Sequence, residues 1–200
     1  MENPTSVSPA LPAGHRPSAA PAWLVPLLAL PIRALWDDPG KQVVPLVPWG
    51  GRVLEVGPGT GFHSVPVARA LGPEGNLVCV ELQAPVRAGL RRRLAARGLD
   101  GRVEIRACTE HDLGIQDLAG GCDLVLALAV VHEMPDPAGA LGAMAMALRP
   151  GGRLLLMEPR GHCPLALFQA ECAWAEAAGL RPEPAPPGGG RGHRALFLRP

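Results

Sequence analysis

The sequence predicts an α/β domain built on a doubly wound, mostly parallel sheet with helices on both faces. Three observations lead to this prediction. From Arg52 onward, short apolar runs alternate with longer segments of helical pattern. The apolar runs contain few polar residues, as expected for strands covered on both faces. The first run, Val53–Val56, continues directly into the glycine-rich turn Gly57–Gly61, which such folds place at the ligand-binding edge of the sheet.

The residues before this alternation have a different character. Met1–Ala22 is rich in Pro, Ala and Ser and lacks periodicity, which predicts a flexible tail. Trp23–Trp36 is apolar, but it is too short to cross a bilayer and contains two prolines and Arg33. We interpret it as a helix that covers the domain. The predicted organisation is a tail over 1–22 and a single domain over 23–200, comprising a helical cover (23–40), a ligand-binding core (52–160) and a C-terminal helix with the last strand (161–200).

The individual elements follow from the same periodicity. Six strands are predicted, at Arg52–Val56, Asn76–Glu81, Arg102–Ala107, Cys122–Leu128, Arg153–Glu158 and His193–Leu198. Helices are predicted between them, at Phe62–Leu71, Ala84–Arg97, Pro137–Leu148 and Pro164–Ala178, the last of which is capped by Gly179. The segment Arg181–Arg191 contains four prolines and three consecutive glycines, so we expect an edge strand at best and otherwise a loop.

Composition argues against several classes of protein. A formal net charge of +1 gives no strong field for nucleic acid or an anionic membrane. Arg91–Arg93 lies on a predicted helix without interleaved aromatic residues, so we interpret it as a solvated face and consider a nucleic-acid substrate unlikely. The five cysteines form no C-x-x-C pair, which argues against a zinc cage or a disulfide framework and favours a reducing cytoplasm.

The glycine turn differs from a dinucleotide-binding turn. In the pattern G-x-G-x-x-G the third glycine would stand at Phe62, whereas here it comes one position earlier, at Gly61. Glu81 ends the second predicted strand about 20 residues further on, where a carboxylate can accept both hydroxyls of a ribose. Glu55 lies inside an apolar strand just before the turn, and its burial is costly unless a cation or hydrogen-bond donors meet it. A nucleoside ligand with a cationic group satisfies both carboxylates.

Several motifs together carry a family resemblance. They are the E-x-G-x-G-x-G core from Glu55 to Gly61, Glu81-Leu82-Gln83, Asp123-Leu124-Val125, Leu148-Arg149-Pro150-Gly151-Gly152, Val131-His132-Glu133 and Glu158-Pro159-Arg160-Gly161-His162. In these motifs the chain, from about Pro31 to Leu198, resembles class I S-adenosylmethionine-dependent methyltransferases, which have a Rossmann-like fold. Within them it resembles the methyltransferase type 11 group, which is distantly similar to ubiquinone/menaquinone-biosynthesis C-methyltransferases.

The resemblance implies a set of residues that bind S-adenosylmethionine. Glycines of the turn would line the methionine part beside Phe62, Glu55 would face its ammonium group, and Glu81 would hold the ribose hydroxyls. Leu82 would pack on the adenine, and the backbone of Leu128 and Ala129 would lie near the sulfonium. Cys108, Thr109 and Glu110 stand where many relatives have an aspartate-alanine pair that reads the adenine amino group, which leaves the adenine reader open. The implied cofactor residues are Glu55, Gly57, Gly59, Gly61, Phe62, Glu81, Leu82, Cys108, Thr109, Leu128 and Ala129.

Four polar residues follow the fourth and fifth predicted strands and are the candidates for catalysis: His132, Glu133, Glu158 and His162. The carboxyl ends of parallel strands share one edge, so we expect all four side chains to project towards the same rim. Three interpretations stay open. A histidine acts as a general base, the group forms a hydrogen-bonded structural lid, or two histidines and a carboxylate bind a metal.

The sequence thus predicts methyl transfer from S-adenosylmethionine to a small-molecule or lipid-like acceptor by in-line displacement. Two other functions compete with it. One is a nicotinamide-dependent oxidoreductase on the same sheet topology, and the other is a non-catalytic module that binds S-adenosylmethionine. We expect no resident metal and no transmembrane segment, and the acceptor atom and the oligomeric state do not follow from the residues.

Overall fold

The computed structural model describes residues 38–185 and 192–200. The predicted tail over 1–22 and the predicted cover helix at Trp23–Trp36 lie outside the described residues, as do residues 186–191. The prediction of one domain over 23–200 therefore stays a prediction.

Seven strands form one sheet with the order β3-β2-β1-β4-β5-β7-β6. The strands are β1 (Arg52–Val56), β2 (Asn76–Glu81), β3 (Val103–Ala107), β4 (Cys122–Leu128), β5 (Leu148–Pro159), β6 (Arg181–Glu183) and β7 (Gly192–Leu198). The helices are α1 (Pro39–Gln42), α2 (Ser64–Ala70), α3 (Ala84–Ala95), α4 (Pro137–Ala147) and α5 (Leu165–Ala177). The first five strands pair in parallel, and β7 is antiparallel to both of its neighbours, β5 and β6.

The sheet carries an apolar layer on each face. Along β1, Leu54 and Val56 point into the layer covered by α4 and α5, whereas Val53 points into the layer covered by α2 and α3. Each fully buried side chain of this size contributes about 1.5–3 kcal/mol relative to exposure. This two-sided burial confirms the doubly wound prediction and explains why the strands read as nearly continuous apolar runs.

Strand pairing differs from the prediction at two places. β5 begins at Leu148, five residues before the predicted Arg153, because Leu148 pairs with Cys122 before a bulge in the register. Edge strand β6 forms at Arg181–Glu183 despite Pro182, since its only partner in the described chain is β7. Helix α2 begins at Ser64, two residues later than predicted. No helix within the described ranges has the length and apolarity needed to cross a membrane.

Candidate active site

A cleft of about 960 Å³ opens at the carboxyl ends of β1, β2 and β4. Its size lies within the range typical of small-molecule sites. Of the residues predicted to bind a cofactor, all but one line the cleft: Glu55, Gly57, Gly59, Phe62, Glu81, Leu82, Cys108, Thr109, Leu128 and Ala129. The loop predicted from the glycine pattern therefore borders this cleft.

The glycine turn between β1 and α2 approaches two neighbours closely. Gly57 has φ +66°, and a Cβ atom built on it would lie 2.5 Å from a methyl group of Val130. Gly61 is the predicted cofactor residue that does not line the cleft. A Cβ on Gly61 would lie 2.5 Å from Leu90 of α3, so this glycine permits helix packing on the side of the turn away from the cleft. The structure thus gives Gly61 a packing role, and its contact with the cofactor stays a prediction.

Glu55 is a buried carboxylate on the wall of the cleft. Its Oε2 atom accepts a weak hydrogen bond from the Cys79 thiol at 3.7 Å. Burial raises the pKa of Glu55 above its ordinary value, although the Ser64 hydroxyl, the charge of His63 and the Cys79 thiol each lower it. The group is a poorly solvated acid that gains from a cationic ligand.

Glu81, at the end of β2, is held across the cleft floor by backbone groups. Its Oε1 atom accepts the Gln83 N–H at 2.9 Å, and its Oε2 atom accepts the Gly59 N–H at 3.3 Å. Arg87 of α3 donates to the carbonyl oxygens of Glu81 and Leu82 at 2.8 and 2.7 Å. These contacts fix the strand end and leave both carboxylate oxygens on the cleft side, where ribose hydroxyls can reach them.

The loop after β3 is closed by its own hydrogen bonds. The Thr109 hydroxyl accepts the N–H groups of His111 and Asp112 at 3.3 and 2.9 Å, so its acceptor capacity is used within the turn. Cys108 is half-buried beside Glu81, and burial together with that negative charge raises the pKa of its thiol to about 11. Cys108 is therefore a neutral wall residue, and the exposed Glu110 is the carboxylate of the predicted trio that lines this part of the cleft.

The backbone after β4 adopts an unusual conformation. Ala129 has φ +58° and is the non-glycine residue with positive φ in the described chain, at a cost of about 1 kcal/mol. Its N–H donates to the Met157 carbonyl at 2.7 Å, which anchors the bend to β5. Such strain is typical of functional sites held by the surrounding structure. Here it directs the chain from Leu128 over Gly57 and into the turn that carries His132.

His132 and Glu158 form the strongest polar contact of the site. The Nδ1 atom of His132 lies 2.5 Å from Oε2 of Glu158, and both side chains are buried. The other oxygen of Glu158, Oε1, accepts backbone N–H groups of Val130, Val131 and His132 at 3.3, 2.8 and 3.4 Å. Burial alone would lower the pKa of His132, but the hydrogen bond and charge of Glu158, with the charge of Glu133, raise it above its ordinary value.

The four predicted catalytic residues occupy different positions. Glu133 lines the cleft, and its Oε1 atom lies 4.0 Å from Nε2 of His132. His162 is exposed and stacks on His132, with ring centroids 6.3 Å apart. The four side chains thus meet around the His132 ring, and Glu133 is the one among them that lines the cleft. Their catalytic role stays a prediction. Within the described ranges, no three His, Cys, Asp or Glu side chains are grouped to hold a metal.

Three residues of the cleft were missed by the sequence reasoning. His63 is buried next to Glu55 and lines the cleft, and Met134 and Asp136 line the side opposite Glu81. Asp136 also caps α4 by accepting the Gly139 N–H at 2.9 Å. The Asp-Pro pair before α4 is a helix-start signal that could have located Asp136. No pattern singles out His63, which owes its position to the glycine turn.

The donor set fits S-adenosylmethionine. Glu55 is a buried carboxylate whose pKa stays raised despite the charge of His63, and it stands at the glycine turn, where an ammonium group would favour its ionised form. Glu81 stands one strand away, as a ribose requires. The bound cofactor supplies a methyl group already activated by the positive sulfur.

Comparisons with known proteins agree with this geometry. A family described as "Methyltransferase domain" matches residues 29–197. The ubiquinone/menaquinone biosynthesis C-methyltransferase UbiE of Cellvibrio japonicus is 33% identical over 109 residues, which are 54% of this chain and 43% of UbiE. The matched part thus spans less than half the length of that relative.

Solved structures show the same fold. A SAM-dependent methyltransferase from Aquifex aeolicus superposes with a TM-score of 0.79 at 19% identity and covers 91% of this chain and 100% of its own. An O-methyltransferase family 2 protein from Planctomyces limnophilus, solved with apigenin, gives 0.69 at 21% identity, with coverages of 89% and 61%. The sheet order, the cleft and the family match over 169 residues (29–197) together show that the chain belongs to the S-adenosylmethionine-dependent methyltransferase family.

Proposed function

We propose that the protein transfers the methyl group of S-adenosylmethionine to a small or lipid-like acceptor with a weakly acidic hydroxyl or carbon, and that His132 is the general base. The observation that carries this proposal is the 2.5 Å contact between His132 and Glu158, in the turn that also carries the cleft-lining Glu133. A phenolic ring of the hydroquinone type is the acceptor we favour, because the relatives at 30–33% identity are named as ubiquinone/menaquinone C-methyltransferases.

The cleft residues contribute position rather than activation. In-line alignment of an acceptor with an activated methyl group, in a site that excludes water, can lower a barrier by about 7–11 kcal/mol. Glu55 would hold the ammonium group of the cofactor and Glu81 its ribose, and the strained bend at Ala129 would place backbone near the sulfonium between them. The remaining requirement is the removal of a proton from the acceptor.

His132 meets that requirement through its tautomer. With Nδ1 donating its hydrogen to Glu158, Nε2 carries the lone pair and can take a proton. In a phenol, loss of the hydroxyl proton to Nε2 makes a ring carbon nucleophilic. The ring carbon could then accept the methyl group that the bound cofactor would supply. His132 would return its proton to the ring oxygen, and the displaced ring hydrogen would leave as a proton to water. Glu158 stabilises the imidazolium form of His132 throughout.

A matched pair of variants tests the role of His132. His132→Asn keeps an N–H near the Nδ1 position for Glu158 and removes Nε2. His132→Gln places its amide near the Nε2 position and removes the N–H that Nδ1 offers to Glu158. We expect His132→Asn to lose methyl transfer by about 10²–10⁴-fold while its affinity for S-adenosylhomocysteine stays within about twofold. The acceptors are reduced polyprenyl quinones and fractionated cell extract, with methyl-labelled S-adenosylmethionine. Full activity of His132→Asn would show that His132 is not the general base.

The pH dependence follows from the sign of the pKa shift. A base must be deprotonated in the free enzyme, and the pKa of His132 is raised above 6.5. We therefore expect kcat/KM for a hydroquinone to rise with pH through a value above 6.5. In a Glu158→Gln variant, which lacks the negative charge, this inflection shifts to lower pH. An inflection at the same pH in both proteins would contradict the pairing.

Two alternatives have direct tests. Binding of NAD or NADP by titration calorimetry would favour an oxidoreductase, against which the early third glycine argues. Cofactor binding without label uptake from any extract fraction would favour a non-catalytic module. We further propose a cytoplasmic location, because all five cysteines are free thiols in the described chain.

A further inference from the structure

A second buried carboxylate, Glu171, lies near enough to Glu158 for the charge of Glu158 to act on it. Glu171 of α5 is 0% exposed, and α5 packs against the turn at residues 131–133 that carries His132. Its Oε1 atom accepts a weak hydrogen bond from the Cys163 thiol at 3.9 Å, and its Oε2 atom has no hydrogen-bond partner among the described residues. The proposed function makes no use of this group, yet a carboxylate is costly to bury.

The two carboxylates receive very different numbers of donors. Glu158 accepts three backbone N–H groups on Oε1 and the His132 ring on Oε2. Glu171 receives one thiol. Two neighbouring carboxylates in a dry interior do not both ionise readily, and the one with more donors takes the charge. Glu158 is therefore the anion, and Glu171 retains its proton.

We propose that Glu171 is a positioning residue, a buried neutral acid whose proton keeps Glu158 anionic and thereby sets the proton affinity of His132. The inference rests on the role proposed above for His132. When Glu171 ionises, its new negative charge beside Glu158 increases the affinity of the pair for the imidazole proton. The activity of the base is then governed by a residue that touches neither substrate nor cofactor.

The surroundings of Glu171 contain few other charges. Helix α4 carries no ionisable side chain, and His193 of β7 stacks on Phe168. Arg194 of β7 donates to the Gln42 carbonyl. Cys163 and Cys172 are the thiols nearby, and burial raises the pKa of each, so both stay neutral. Burial, aided by the charge of Glu158, raises the pKa of Glu171 to about 8, while the Cys163 thiol lowers it in part.

The test compares histidine titration in four proteins. They are the wild type, Glu171→Gln, Glu171→Leu and the control Glu176→Gln, which changes an exposed carboxylate on the same helix. The ring signal of His132 is followed by NMR against pH and is assigned by its absence from His132→Asn. We expect the wild type and the control to show the main step of His132 followed by a second displacement near pH 8. Both Glu171 variants should lose the second displacement.

Thermal unfolding provides a readout independent of the spectrum. In the wild type the midpoint should fall as pH rises from 5 to 8, because the native state holds the Glu171 proton more tightly than the unfolded chain does. Glu171→Gln and Glu171→Leu should show a smaller fall. Titration and unfolding curves of both variants that superimpose on those of the control would overturn the inference. If neither variant folds, the absence of a second His132 step in the wild type overturns it.

Neither the NMR titration nor the thermal unfolding requires methyl transfer. The proposed function and the role of Glu171 can therefore be contradicted independently. A second titration step in a protein that methylates no acceptor would contradict the proposed function alone. Methyl transfer that depends on His132, with unchanged titration in the Glu171 variants, would contradict the role of Glu171 alone.

Discussion

Among single residues, Glu55 has the clearest thermodynamic signature. Burial raises its pKa above the ordinary value, which favours the protonated form when no ligand is bound. An ammonium group bound at the glycine turn favours the ionised carboxylate. We therefore expect binding of S-adenosylhomocysteine to release protons and its affinity to rise with pH through the pKa of Glu55.

Calorimetry in buffers with different ionisation enthalpies measures this release directly. The matched variant is Glu55→Gln, which should bind more weakly and release fewer protons. Equal proton release in the two proteins would show that Glu55 does not face the ammonium group.

Glu81 should matter through hydrogen bonds to the ribose. Each charge-assisted hydrogen bond contributes about 1.5–3 kcal/mol, so Glu81→Ala should weaken binding of S-adenosylhomocysteine by roughly tenfold or more. The exposed Glu74, in the turn before β2, supplies the control variant Glu74→Ala. Calorimetric affinities of Glu81→Ala and Glu74→Ala that agree would move the ribose site elsewhere.

Sequence patterns predicted the residues that line the cleft better than the contacts behind them. Glycines at 57 and 59 border the cleft as expected, but the same pattern at Gly61 reflects a contact with Leu90, which is distant in sequence. His132 and Glu158 were expected at the same edge of the sheet, but their direct contact and the backbone N–H groups that hold Glu158 follow from no sequence pattern. Contacts of this kind join residues far apart in the chain, so spacing alone does not reveal them.

At the scale of elements, the ends of β1 and β4 meet through one close contact. Gly57→Ala should destabilise the protein by about 2–4 kcal/mol, because it combines positive φ with a clash against Val130. Gly98→Ala is the matched control, since Gly98 has φ +65° and open space around it, and should cost only about 1 kcal/mol.

Denaturant unfolding measures both variants. Equal losses would mean that Val130 moves aside without cost, and the Gly57 contact would then have no structural weight.

Apolar runs predicted β1, β2 and β4 to the residue. The start of β5 was missed because Arg149-Pro150-Gly151-Gly152 has the composition of a turn, yet the strand continues through it across a bulge. The local composition indicates only how readily a segment forms a turn. The length of a strand also depends on the neighbouring strand with which it pairs.

For the whole molecule, three buried groups give stability the same pH dependence. The pKa values of Glu55 and Glu171 are raised above 4.5, and that of His132 is raised above 6.5. Each native group holds its proton more tightly than the unfolded chain does, so stability falls as pH rises through these windows. We expect the thermal midpoint of the ligand-free protein to be highest near pH 5 and to fall towards pH 8.

Scanning calorimetry across this range checks the sign. Saturating S-adenosylhomocysteine should reduce the contribution of Glu55 to this fall in the thermal midpoint. At 100 times its Kd the ligand should add about 2.7 kcal/mol to the free energy of unfolding. A midpoint that rises from pH 5 to 8 would contradict the assignment of buried protonated acids.

The fold and the cofactor class were accessible from sequence, but the acceptor was not. Periodicity reports burial on both faces of the sheet, and the two carboxylates near the glycine turn report a cationic nucleoside. Glu133 and Met134 line the cleft, but no local pattern specifies how the side chains there are arranged, and a fold does not determine its substrate.

Glu158 has a consequence for the order of events during turnover. One of its oxygens holds the backbone of residues 130–132, next to the cleft, and the other holds the imidazole. Any ligand that binds more tightly when this backbone is ordered must therefore also raise the proton affinity of His132. By reciprocity, protonating His132 must strengthen that ligand by the same factor. Glu158→Gln should therefore change both the proton affinity of His132 and the affinity for such a ligand, whereas His132→Asn, which keeps a donor to Glu158, should leave the ligand affinity nearly unchanged.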